Sequence, residues 1–64
     1  MKRYYVHVYF VDGKTPIEIE CETFSDSISV VLSFDLPNVQ LINIECYETN
    51  RENRTTVYVG SASN

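Results

Sequence analysis

The sequence predicts an α+β domain of order β-β-α-β-β, a four-stranded antiparallel sheet with one short helix packed on its apolar face. Three observations predict it. Two alternating runs, 3–11 and 16–22, flank the pair Asp12-Gly13. A second pair of alternating runs, 39–48 and 54–60, flanks a polar stretch. Between the two pairs lies a segment with helix-start signals that closes at Pro37. Period-2 alternation marks strands with one dry face, and Gly/Asn/Asp clusters mark the reversals between them.

The first hairpin is the clearest element. Asp-Gly favours a type I′ turn, which requires positive φ at both central residues. With Asp12-Gly13 as a two-residue loop, Val11 pairs with Lys14, Val8 with Ile17 and Val6 with Ile19. That register puts Tyr4, Val6, Val8 and Phe10 on one face with Ile17, Ile19 and Cys21. It puts Arg3, Tyr5, His7 and Tyr9 on the other with Glu18, Glu20 and Glu22. A slip of one residue sets Val8 opposite Pro16 and Val6 opposite Glu18, mixing the faces.

The third segment reads two ways. Ser27-Ile28-Ser29-Val30-Val31-Leu32-Ser33-Phe34 alternates as a strand would, and serine and β-branched residues are mediocre helix formers. Its boundaries are those of a helix. Ser25 or Asp26 supplies a cap, Asp26 complements the helix dipole, Phe24 can pack back on the first turn, and Pro37 enforces a stop. A strand here would also leave the sheet with little to cover its apolar face, and a domain needs two packed layers. The balance predicts a helix over 26–34 with Ile28, Val31 and Leu32 on one side.

In the last hairpin, residues 50–53 are expected to form a four-residue loop. Cys46 then faces Val57, Ile44 faces Val59, Tyr47 faces Thr56 and Glu45 faces Tyr58. If the helix crosses over the first strand, the strand order is 2-1-3-4. The expected core is Tyr4, Val6, Val8, Phe10, Ile17, Ile19, Ile28, Val31, Leu32, Ile42, Ile44, Val57 and Val59. The single domain spans 1–60, and the small polar stretch 61–64 is expected to be a flexible tail.

Sixty-four residues allow one domain. A chain this short buries only about 60% of its unfolded surface, and such a core rarely supplies more than about 3–5 kcal/mol. Self-association into a homodimer is one way to gain stability. No run approaches the ~20 apolar residues of a membrane span. The run after Met1-Lys2-Arg3 is read as a first strand rather than a leader, giving a cytoplasmic expectation. Cys21 and Cys46 fall on dry faces without Cys-x-x-Cys spacing, so they are expected to be free thiols.

The net charge is −4, and its distribution is uneven. Between Thr15 and Asn50 stand seven acids and no Lys or Arg. Duplex nucleic acid would be repelled by that stretch, whereas a basic protein would be attracted. The wet sheet face is the candidate partner-binding surface: Tyr5, His7, Tyr9, Glu18, Glu20, Glu45, Tyr47 and Tyr58. Tyrosine joins a large flat contact area to a hydroxyl and is enriched at interface hot spots. His7 opposite Glu18 is the one proton-handling pair, and a flat face gives it no substrate pocket. Two glycines, at a turn and near the end, make no phosphate loop, and His7, Glu18 and Glu20 lack a spacing that demands a metal. No catalytic, metal or cofactor residues are assigned.

The expected function is non-enzymatic: a small acidic binding or adaptor protein that contacts a basic protein, with inhibition as one outcome of that contact. One alternative is a homodimeric module built on the same face or on a strand edge. Another is single-stranded nucleic-acid binding by Tyr5, Tyr9 and Tyr58, with Lys2, Arg3, Arg51 and Arg54 on phosphates.

Overall fold

A computed structural model describes residues 2–48 and 51–60. The stretch 61–64 and Asn50, part of the expected last loop, lie outside the described residues. Strand β1 (Arg3–Phe10), strand β2 (Ile17–Cys21), helix α1 (Phe24–Leu32), a single 3-10 turn (Leu36–Asn38), strand β3 (Val39–Glu48) and strand β4 (Arg51–Val59) follow in that order. The sheet is antiparallel at every junction, with strand order β2-β1-β3-β4, the order expected if the helix crosses over the first strand. No helix among the described residues is long and apolar enough to cross a membrane.

The first register is the expected one: Val8 pairs with Ile17, Val6 with Ile19 and Tyr4 with Cys21. The loop is not. The ladder stops at Val8, and Val11 does not pair with Lys14, because its amide donates to the carbonyl of Asn38 at 3.2 Å, on the β3 side. The turn is fastened instead by Asp12, whose Oδ1 accepts from the Lys14 amide at 3.1 Å. Gly13 has φ of 77°, a left-handed conformation that suits glycine.

Helix α1 begins two residues earlier than the boundary signals suggest. Its cap is Thr23, not Ser25 or Asp26: Thr23 Oγ1 accepts from the Asp26 amide at 3.0 Å. Asp26 still lies in the first turn, where its charge complements the dipole. The helix packs mainly on β1 and β2, and it seats on a small residue. Ser27 is fully buried and its hydroxyl donates to the Phe24 carbonyl at 2.6 Å. Ile28, Val30, Val31 and Phe34 pack against the buried centre of the sheet. Leu32, expected in the core, lies about 140° around the helix from Ser27 and is 78% exposed.

Val6, Val8, Cys21, Val39, Ile42 and Ile44 form the buried centre, with Tyr4, Phe10 and Ile19 against it. Ile17, at the start of an edge strand, is more exposed than expected. Cys21 and Cys46 both face Tyr4, from opposite sides of β1. Two strand spacings, about 9–10 Å, separate them, beyond the ~7 Å that a disulfide bridges. Both are free, and burial, followed by the charges of Asp26 and Glu20, pushes the Cys21 thiol up.

The second hairpin corrects the sequence reading most. Glu48 pairs with Arg51, leaving two residues in the connection rather than four. Residues 51–53 belong to the strand. Glu45 therefore faces Arg54, Tyr47 faces Glu52 and Asn43 faces Thr56. A bulge then inserts Val57, so Tyr58 lands opposite Ile42 and Val59 opposite Leu41. An extra residue inverts every later side chain. Tyr58 joins the helix-side core, its hydroxyl donating to the Leu36 carbonyl at 3.4 Å, while Val57 and Val59 leave the expected core and Val59 is 68% exposed. Gly60 closes the strand with its amide on the Gln40 carbonyl at 2.7 Å, and a Cβ there would meet the Val39 carbonyl at 2.6 Å.

Candidate functional site: the outer sheet face

Since α1 covers the Val6 and Val8 side, the opposite face of the sheet carries no helix. Pairing arranges its side chains in rows across the strands. One row runs Glu20, Tyr5, Glu45, Arg54; the next runs Glu18, His7, Asn43, Thr56. Below them Arg3, Tyr47 and Glu52 align, and above them Tyr9 and Leu41.

Glu45 anchors the face. It is only 5% exposed although it lies on the helix-free side. Arg54 donates to Oε2 through Nε at 2.8 Å and lies within 2.6 Å through Nη2. Tyr47 donates to Oε1 at 2.9 Å, and His7 Nε2 is 3.3 Å from the same oxygen. Burial pushes this carboxyl up, but the hydrogen bonds from Tyr47 and Arg54 and the charges of His7 and Arg54 outweigh it, and the group titrates below its ordinary value. The same contacts act in reverse on the partners. The bond to Glu45 comes first in pushing Tyr47 up to about 12, with partial burial and Glu52 adding to it, and Glu45 also raises Arg54.

Around this anchor the face is interlocked. Thr56 donates to Asn43 Oδ1 at 2.8 Å. Tyr47 also reaches Glu52 Oε2 at 3.2 Å, so its one proton is shared between two carboxylates. Tyr5 and Tyr47 meet edge to face, centroids 5.2 Å apart. Arg3 pairs with Glu20. His7 Nε2 lies between Glu45 and Glu18, 3.4 Å from the latter, yet aligned with neither for a hydrogen bond.

The structure thus brings together seven of the eight expected partner-binding residues: Tyr5, His7, Tyr9, Glu18, Glu20, Glu45 and Tyr47. Tyr58 is not among them, because the bulge turns it to the helix side. The stacking platform of Tyr5, Tyr9 and Tyr58 loses its third ring for the same reason. The expected partner-binding set left out Arg54, Glu52, Thr56, Asn43 and Leu41, all of which stand on this face. Charge pairing held the signal for Arg54, and the register it sets places Glu52 opposite Tyr47. The two-residue connection sets Glu45 against Arg54 and Glu48 against Arg51, whereas the four-residue loop sets no opposite charges together. No family model, curated protein or solved structure matches this chain.

Proposed function

We propose that the protein is a non-enzymatic binding module whose outer sheet face receives a basic segment of another protein. The observation that carries this reading is a helix-free face on which Tyr5 and Tyr9 lie diagonally to either side of Glu18. The Glu18 side chain is 57% exposed and has no Lys or Arg within ion-pair reach among the described residues. Four carboxylates, Glu18, Glu20, Glu45 and Glu52, share the face with two guanidiniums, Arg3 and Arg54. Arg3 and Arg54 are committed to Glu20 and Glu45, which leaves Glu18 and Glu52 to set the sign.

A partner lysine or arginine would pair with Glu18 while its stem lies on the tyrosine rings, combining a charge contact with cation–π attraction. The bonds that hold Glu45, Tyr47 and Arg54 fix the face before the partner arrives, which lowers the ordering cost of binding. Phosphates would meet the same carboxylates and be repelled. The test is capture of a basic partner by the wild-type chain and by the Glu18→Lys/Glu20→Lys variant. Two charge reversals should weaken capture at least about tenfold, with the fold intact by circular dichroism. Undiminished capture would reject the proposal.

A further inference from the structure

Two strands of the sheet have an open edge, and only one is guarded. Strand β2 is five residues long, follows Pro16, and sets Glu18 and Glu20 on one face, so a second β2 would meet like charge. Strand β4 is nine residues long, contains no proline, and runs without a bulge from Arg51 to Thr56. Such an edge is a template for another strand.

Its backbone polarity can be read from the pairing. In a two-residue hairpin the pair flanking the turn exchanges both backbone hydrogen bonds. Glu48 and Arg51 are that pair, so Arg51, Asn53 and Thr55 direct their amides to β3. Glu52 and Arg54 direct theirs to the open edge. The Gly60 amide on the Gln40 carbonyl keeps the same parity on β3, where Gln40, Ile42, Ile44, Cys46 and Glu48 face β4.

We infer that β4 pairs antiparallel with β4 of a second copy, in the register centred on Asn53, where Glu52 of each copy lies directly opposite Arg54 of the other. Both residues stand on the outer face, so two reciprocal ion pairs form beside the backbone bonds. Each partner has capacity to spare. Arg54 spends Nε and Nη2 on Glu45 and retains Nη1; Glu52 receives Tyr47 on Oε2 and retains Oε1. The neighbouring registers of the same backbone parity are disfavoured by charge. One places Glu52 against Glu52, the other Arg54 against Arg54. The contact is isologous and closes, joining two four-stranded sheets into one of eight strands. It leaves the face of Tyr5, Tyr9 and Glu18 open and doubles it, and it stands independently of the proposed basic partner.

A contact of about five residue pairs is smaller than a standard interface, so the dimer is weak, with Kd of order 100 μM. Sedimentation equilibrium from about 10 μM to 1 mM tests it. The mass should rise from one chain toward two, less so at 0.5 M salt, where the ion pairs are screened. Glu52→Lys sets a cation against Arg54 and should hold the protein at one chain. Glu52→Pro removes an edge-facing amide together with the carboxylate, leaves the β3 ladder whole, and should do the same. A wild-type protein that stays at one chain throughout, a dimer that survives Glu52→Lys, or masses growing beyond two chains would each overturn the inference.

Discussion

Glu45 is a carboxylate sunk into a sheet face that has no covering layer. It is tolerated because its oxygens receive hydrogen bonds from Arg54 and Tyr47 and lie beside His7. Two pH effects follow with definite sign. A carboxyl that titrates lower when folded stabilises the fold fully above its unfolded value, near 4.5, and that contribution is lost as pH falls through the folded value. The melting temperature should therefore drop on acidification below about pH 4.5, and Glu45→Gln should flatten that part of the profile while lowering Tm at neutral pH. Tyr47 behaves oppositely. Its hydroxyl ionises near 12 when folded against 10.0 ordinarily, so its contribution is present below pH 10 and lost as pH rises toward 12. Ultraviolet titration should show one tyrosine of the five ionising near 12. Tyr47→Phe should remove that step, and Glu45→Gln should move it toward 10.

At the scale of elements, what was legible in the sequence is what period-2 alternation encodes. The β1–β2 register and the sorting of Val6, Val8, Ile42 and Ile44 from Tyr5, His7 and Glu45 follow from which face is dry, whereas the strand order depended on the helix crossing over β1. Turn lengths and bulges were not legible, because alternation is blind to them. The Val11 amide has a long-range partner in Asn38, which no local turn preference contains. Two hairpin lengths differing by an even number keep the same faces, so Thr49-Asn50 and a four-residue loop looked alike until charges were matched across the strands. The Val57 bulge carried no marker, and Tyr58, Val57 and Val59 were misplaced together. The helix was legible from its ends more than its middle, and Thr23 shows that the cap lay two residues before Ser25 and three before Asp26. Thr23→Ala removes that cap and should cost about 1 kcal/mol, measurable by urea unfolding.

At the scale of the molecule, the helix lies on one side of the sheet and bare pleats on the other, and the proposed function assigns recognition to the bare side. The apolar centre lies between α1 and the sheet, while the opposite face holds tyrosines, carboxylates and their internal ties. Glu52 and Arg54 lie at the β4 edge of that face, away from Tyr5, Tyr9 and Glu18, so the proposed pairing of copies leaves these three residues open to the proposed basic partner. The central claim is that the outer face is the recognition surface. Two-dimensional amide NMR during titration with a lysine-rich peptide tests it most directly. The account predicts shifts that cluster on Tyr5, His7, Tyr9, Glu18 and Glu20 and vanish in the Glu18→Lys/Glu20→Lys variant. Shifts confined to α1 and the 3-10 turn, or none at all, would contradict it.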